Sequence, residues 1–293
     1  MPLIPTAHAC PSCTPGPNRV IDHERGVINV PRGFRGPPES VHGGAVAGLI
    51  VCLADAHLAG PTARFNVRLH APPPLATDLP YQLIPAEGGQ RLRFEVTGPD
   101  GAAVLSGWAA TVGGIEAGLD PVVPEDIVAD LGAHSSLTEA ERACFERQVD
   151  QLTEEFGECF GCGPANPDGL HLRPRAIDDR RAWSEWRPEA RWFDGDRLGT
   201  LAAVAALDCS SSIPFRQLGV LSADELALTL LGTYDAEIRR RPPAELPGGE
   251  AYRIVTSPRR RDGRKIWADI GLFGPGGEAY ILGCATWILV NPG

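Results

Sequence analysis

The amino-acid sequence contains one internal repeat, and this repeat restricts the chain to folds that can be built twice in succession. The segment 98–112 matches the segment 274–288, so that Gly107 corresponds to Gly283. In both segments a glycine-rich turn separates two runs of alternating apolar residues, which is the pattern of a β-hairpin. Each half of the chain is therefore predicted to end in an antiparallel meander.

Two further features recur in the same order. An alternating apolar run ends in a pair of prolines at 63–73, and a similar run does so at 234–243. Before each run lies a continuous apolar segment rich in alanine and leucine, 43–58 in the first half and 198–209 in the second. A helix that is apolar on all sides is buried, and an alternating strand buries one face. The sequence thus predicts, twice, a buried helix covered by an antiparallel sheet.

Length and charge restrict the class of protein. The 293 residues exceed the ~100–150 residues of a typical single domain, so two domains are expected. A formal net charge of −10 argues against a general nucleic-acid binder, which needs a basic face. Basic residues are almost all arginine, which suggests a GC-rich bacterial genome. No apolar run approaches the ~20 residues of a membrane span, and the first residues lack a secretory pattern, so we expect a cytoplasmic protein.

The composition along the chain divides it into three parts. We predict an N-terminal domain over 1–116, a linker with a surface helix over 117–156 and a C-terminal domain over 157–293. The middle part is flanked by prolines and then becomes charged and helix-prone from Thr138 onward.

Two motifs resemble those of a known superfamily. The segment 34–44 ends in His42-Gly43-Gly44 directly before the first apolar helix, and the segment 159–170 begins with Cys-Phe-Gly-Cys-Gly-Pro. Both are similar to the hotdog-fold thioesterases of the phenylacetate-degradation type. The resemblance implies an α+β double hotdog, in which each unit wraps a long antiparallel sheet around one central helix. It also implies hydrolysis of an acyl thioester, either acyl-coenzyme A or a carrier-bound acyl group, without a cofactor other than the coenzyme A of the substrate.

The resemblance places the oxyanion-binding groups at His42, Gly43 and Gly44. Free N–H groups and the helix dipole at the start of a helix favour a developing negative charge. The alternative is that the glycines only allow the helix to pack closely against the sheet.

The acid that such an enzyme needs is not where the family pattern puts it in the first half, since Val51 and Cys52 stand there. Asp55 lies one turn further along and is more consistent with a helix-end role. In the second half, Asp208 stands in an apolar helix, where a carboxylate must be paired or raised in pKa. We therefore predict one composite site that combines His42, Gly43 and Gly44 with Asp208 and with Ser210 or Ser211. A structural Asp208 bonded to nearby serines is the alternative.

Cysteines and arginines supply further candidates. Two C-x-x-C pairs, Cys10/Cys13 and Cys159/Cys162, could form a four-thiolate zinc site if the fold joined them, but the expectation is no metal and free thiols. The second half also has a cluster of arginines. With Asn66 of the first half, they could bind the substrate and its phosphates, or they could be charges on an exposed sheet edge; they are Arg239, Arg259, Arg260, Arg261 and Arg264.

Two other functions remain open from the sequence. The missing acid in the first half is consistent with a non-catalytic acyl-binding or small-ligand-binding protein, and the same cleft could serve a biosynthetic lyase or cyclase. The sequence also leaves open whether two such chains form a homodimer.

Overall fold

The computed structural model describes residues 20–36, 39–147, 156–227 and 229–290. The helices are α1 Gly43–Asp55, α2 Glu125–Ala133, α3 Glu139–Arg147, α4 Thr200–Ser212 and α5 Ala223–Ala227. The strands are β1 Ile21–Asp22, β2 Val27–Asn29, β3 Arg35–Gly36, β4 Ser40–Val41, β5 Arg64–Leu69, β6 Asp78–Pro85, β7 Arg91–Thr97, β8 Ala103–Ala110, β9 Arg175–Ala176, β10 Ala182–Trp186, β11 Phe193–Asp194, β12 Arg197–Leu198, β13 Thr229–Ile238, β14 Tyr252–Asp262, β15 Lys265–Phe273 and β16 Ala279–Leu289.

One large antiparallel sheet runs through both halves. The described residues place twelve strands in it, in the order β1-β2-β6-β7-β8-β5-β13-β16-β15-β14-β10-β9. The halves join at β5 and β13, where Tyr234 pairs with Val67. The second half of the order mirrors the first, so the sequence repeat is a structural duplication about this seam.

Smaller features repeat as well. A two-residue strand pair precedes each central helix, β3–β4 before α1 and β11–β12 before α4. Each pair continues in an isolated bridge to a proline, Ser40 to Pro74 and Arg197 to Pro243. These contacts fix the chain just before each helix begins. In the first half, this is where the predicted oxyanion-binding residues lie.

The repeated glycine of the two hairpins makes room for an aromatic ring on a neighbouring strand. A Cβ atom on Gly107 would lie 2.6 Å from Cζ of Phe94, and one on Gly283 would lie 2.8 Å from Cε2 of Tyr234. Both rings are buried against the core. The sequence anchor therefore reflects a packing requirement of the sheet.

The two central helices lie side by side beneath the sheet and contact each other through glycine. A Cβ atom on Gly48 of α1 would come within 2.7 Å of the backbone of Leu201, and one on Gly44 would lie 3.0 Å from Cα of Ala205. Backbone-to-backbone packing this close requires residues without side chains at the contact. It brings the first turn of α1 against the middle of α4.

The segment between the halves contains two helices. The helix predicted after Thr138 is present as α3, and Thr138 and Glu141 form a reciprocal capping box at its start. A second helix, α2, was not predicted; it buries Val128 and Leu131 in a separate apolar cluster with Val255 and Phe273. No helix in the described part of the chain is long and apolar enough to cross a membrane.

Candidate active site

A cavity of about 230 Å³ lies between the two halves, where the first turn of α1 faces α4. Residues around Val41 and Pro72 form the first-half wall, and residues of α4, β13 and β16 form the second-half wall. Most of these side chains are apolar. The polar groups among the lining residues include Ser40, His42, Asp208, Cys209, Ser212 and Thr229.

Asp208 meets the predicted oxyanion-binding residues, as the composite-site hypothesis requires. The backbone N–H of Gly44 donates a hydrogen bond to Oδ2 of Asp208, and Nδ1 of His42 lies 3.6 Å from the same oxygen. The Asp208 carboxylate is 4% exposed, so these two groups from the other half are its partners within the fold. The close approach of α1 and α4 at Gly44 allows this contact.

Burial sets the electrostatics of Asp208. Removal from water raises the pKa of Asp208 above its usual range, and the opposing effects of His42 and of the Gly44 N–H do not cancel the rise. A carboxylate of this kind is a stronger base than a surface carboxylate. The arrangement is therefore suited to accepting a proton in the cavity.

The first turn of α1 distributes its free N–H groups among different acceptors. Gly44 donates to Asp208, Ala45 donates to Nδ1 of His42 at 3.2 Å, and Val46 donates to the carbonyl of His42. Among the hydrogen bonds between described residues, none uses the N–H of Gly43, which also lines the cavity. Gly43 is thus the donor in this turn that remains available to a bound molecule.

His42 caps α1 and uses both ring nitrogens within the protein. Nδ1 faces Ala45 and Asp208, while Nε2 lies 3.2 Å from Sγ of Cys209. Burial by itself lowers the pKa of His42, but the Asp208 carboxylate and the Cys159 thiol outweigh it and raise this pKa to about 9. His42 therefore holds the surrounding groups in place rather than presenting a free nitrogen to the cavity.

Several predicted residues lie elsewhere. The hydroxyl of Ser210 donates to the carbonyl of Ala206 and that of Ser211 to the backbone carbonyl of Asp208, so neither bonds the carboxylate. Ser212 lines the cavity instead. Asn66 does not line the cavity. It is half-buried on β5, between the buried residues Phe65 and Val67.

Asp55, the acid at the end of α1, does not line the cavity either. Its carboxylate accepts from Arg241 at 2.7 Å and from the N–H of Thr62 at 2.7 Å. These contacts agree with the helix-end role that we expected for it.

Three of the predicted phosphate-binding arginines pair with acids. Arg239 binds Glu125, Arg259 binds Asp269, and Arg261 binds Glu225. Arg260 lies over the ring of Trp267 at 4.1 Å. Arg264 makes no ion pair within the described residues; its carbonyl accepts from the N–H of Leu289 at 2.8 Å, next to the cavity residue Ile288.

Sequence reasoning did not place cysteines at this site. Cys159 and Cys209 both line the cavity, and their sulfurs lie 3.6 Å apart. Two features of the sequence could have indicated these cysteines. Cys209 directly follows Asp208 in the chain, and Cys159 belongs to a C-x-x-C pair. Their proximity to His42 depends on packing between the halves. Cys10 and Cys13 lie outside the described residues.

Comparison with known proteins supports the fold. The sequence matches no protein-family model and no curated protein. Among solved structures, a TesB protein of Mycobacterium avium subsp. paratuberculosis is 13% identical, with a TM-score of 0.58 over 90% of this chain and 92% of that chain. An acyl-CoA thioesterase II, TesB2, of Mycobacterium marinum is 13% identical, with a TM-score of 0.52 over 86% and 90%.

A third structure comes from Alicyclobacillus acidocaldarius and is described as a conserved protein of unknown function with a hot dog fold. It is 15% identical, with a TM-score of 0.57 over 91% of this chain and 93% of that chain. Likeness at this level of identity concerns the fold, and it extends over both halves. The fold predicted from the motifs is thus confirmed: the chain is a double hotdog protein whose neighbours among solved structures include thioesterases of the TesB type.

Proposed function

We propose that the cavity binds an acyl thioester and that Asp208 activates water to hydrolyse it. The observation that carries this proposal is the contact of the buried Asp208 carboxylate, from the second half, with the first turn of α1 from the first half. An acid raised in pKa and a free helix N–H at one cavity wall are the two groups that acyl transfer requires.

The proposed reaction assigns a separate task to each group. The thioester carbonyl oxygen accepts from the N–H of Gly43, while Gly44 holds the Asp208 carboxylate in position. Asp208 takes a proton from a water molecule as the water oxygen bonds to the carbonyl carbon, and negative charge develops on the oxygen at Gly43. Collapse of the tetrahedral intermediate breaks the carbon–sulfur bond, and the departing thiolate receives the proton from Asp208. No redox cofactor takes part.

Acyl-coenzyme A, or an acyl group on a carrier protein, is the proposed substrate class. The apolar lining of the cavity suits an acyl chain, and the similar structure from Mycobacterium marinum is described as an acyl-CoA thioesterase. The bonding of His42 favours hydrolysis over a lyase reaction. A lyase of this kind needs an acid and a base that both face the substrate, and neither ring nitrogen of His42 is free to do so.

The test is a panel of acyl-coenzyme A thioesters of different chain lengths, followed by free-thiol release and by mass spectrometry of the products. Release of thiol together with free acid supports hydrolysis. An enoyl or cyclised product without thiol release would identify a lyase or cyclase instead. Thermal stabilisation by the thioesters without any product would indicate a binding protein.

Arg264 is expected to contribute to recognition of the coenzyme A phosphates. It is exposed and next to the cavity end of β16, so an Arg264→Ala variant should raise KM for acyl-coenzyme A several-fold and leave kcat unchanged. The same acyl group on N-acetylcysteamine, which lacks phosphates, should show no change in KM. Arg93→Ala, an exposed arginine on β7, is the matched control. Equal changes for both substrates would contradict this role.

A further inference from the structure

Three side chains with nitrogen or sulfur donors converge where α1, α4 and the turn at 159–162 meet. Nε2 of His42 lies 3.2 Å from Sγ of Cys209, and Sγ of Cys159 lies 3.6 Å from the same sulfur. The donor atoms of these three residues all lie within 4.8 Å of one another, and all three residues are buried. The proposed hydrolysis uses none of these sulfurs.

Cys162 is the second cysteine of the C-x-x-C pair that begins at Cys159, and it is fully buried. Structural zinc sites commonly take two ligands from a pair with this spacing. Cys162 is therefore the candidate for a fourth ligand beside the three donors that already lie together.

The spacing of the donor atoms matches tetrahedral coordination. Bond lengths of ~2.3 Å to sulfur and ~2.0 Å to nitrogen place two sulfur ligands about 3.8 Å apart and a sulfur and a nitrogen ligand about 3.5 Å apart. The observed separations, 3.6 Å between Cys159 and Cys209 and 3.2 Å between His42 and Cys209, are close to these values.

The turn between the two cysteines fits closely over the other two donors. A Cβ atom on Gly161 would lie 2.7 Å from Nε2 of His42 and 3.3 Å from Cβ of Cys209. A glycine at this position therefore lets the turn approach both residues. The guanidinium of Arg173 donates to the carbonyl of Cys162 at 2.6 Å, so a positive charge lies beside the turn.

Asp208 supplies the outer contact that a metal-binding histidine commonly has. Metal binding through Nε2 would place the proton of the neutral ring on Nδ1. That nitrogen would then donate to Oδ2 of Asp208, which lies 3.6 Å away, and would no longer accept from the N–H of Ala45. The two halves differ here. Cys52 and Cys209 hold the same position in α1 and α4, nine residues after the first residue of each helix. The residue before α1 is His42, whereas the residue before α4 is Gly199, which offers no ligand atom.

We propose that Cys159, Cys162, Cys209 and His42 form a tetrahedral binding site for a zinc ion. Because four protein ligands fill the coordination shell, the ion would be structural. It would tie the start of α1 in the first half to the second half and so fix Gly43, Gly44 and Asp208. Binding releases the thiol protons to solvent, and three thiolates with Zn²⁺ leave one negative charge beside Arg173.

The test uses the full chain, purified under reducing conditions without chelator. Elemental analysis should find one zinc per chain. Replacement by Co²⁺ should give the visible bands of tetrahedral cobalt together with near-ultraviolet thiolate-to-cobalt charge transfer of a three-thiolate site. These measurements use the wild-type protein, so they do not depend on whether a variant folds.

Variants locate the ligands. Cys159→Ser and Cys209→Ser should weaken Co²⁺ binding at least about tenfold, since even outer contacts contribute about 10–100-fold. Cys284→Ser, a half-buried cysteine on β16 outside the group, should leave it unchanged.

Two results would overturn the proposal. One is the absence of stoichiometric zinc and of cobalt charge transfer in the wild type. The other is an intact mass two hydrogens lower, with a Cys159–Cys209 disulfide in peptide mapping. Metal content is measured without substrate, so this outcome is independent of whether the protein hydrolyses thioesters.

Discussion

Asp208→Asn is expected to reduce thioester hydrolysis by about 10²–10⁴-fold, the usual contribution of a positioned general base. The amide keeps the size of the side chain and still accepts from the N–H of Gly44, but it cannot take a proton from water. The loss should appear in kcat more than in KM, because the cavity walls that bind the acyl group are unchanged. Steady-state kinetics of thiol release measure this effect.

Asp126→Asn provides the control for Asp208→Asn. Asp126 is an exposed carboxylate in the first turn of α2, away from the cavity, and its substitution should leave kcat unchanged. Circular dichroism should show that Asp208→Asn keeps the wild-type fold, because the amide oxygen retains the hydrogen bond from the N–H of Gly44. Unchanged hydrolysis in a folded Asp208→Asn protein would reject the proposed mechanism.

Gly48→Ala is expected to lower the free energy of unfolding by about 2 kcal/mol. A new Cβ atom would lie 2.7 Å from both Cα and the carbonyl oxygen of Leu201, and backbone atoms cannot rotate away. Overpacking of a core costs about 1–3 kcal/mol, and a contact this short is expected at the upper end of that range or above it. The higher helix propensity of alanine offsets only about 1 kcal/mol of this cost. Separation of α1 from α4 should also weaken the Gly44–Asp208 contact, so activity should fall as well.

Calorimetry measures the expected decrease of several degrees in the thermal midpoint. Gly60→Ala is the matched control, since the nearest atom to its Cβ would be Cγ2 of Thr111 at an ordinary 3.7 Å. A Gly48→Ala protein as stable as the wild type would show that the helices have room to adjust, and that the tight contact is not needed to position Asp208.

The sequence alone predicted the architecture, because the evidence for it is local and periodic. Alternating apolar residues mark strands, all-apolar segments mark buried helices, and the repeated glycine turns mark hairpins, each within a short window. The apolar segment at 43–58 became α1, and the hairpin turns became the β7–β8 and β15–β16 connections. Helix α2 was not predicted from the sequence. Its short apolar face packs on the outer side of the second-half sheet, and no local sequence pattern indicates such a contact.

The composition of the site was decided by tertiary structure. The motif residues His42 to Gly44 and the lone buried acid Asp208 could be chosen from the sequence, and the resemblance suggested that they meet. Their distances, however, depend on how closely α1 approaches α4, which is set by the glycines at the helix contact. Ser210 and Ser211 could not be assigned, because helix geometry directs their hydroxyls to backbone carbonyls.

In the cysteine group, too, the sequence identifies the residues and the tertiary structure decides which of them are in contact. A C-x-x-C pair is visible in the sequence, but its partners are more than a hundred positions away for His42 and lie on a different element for Cys209. Long-range contacts of this kind follow from the packing of the two halves, which places the turn at 159–162 of the second half beside the start of α1 in the first half. The sequence therefore determined which chemical groups the protein carries, while the packing of two similar halves determined which of those groups come together.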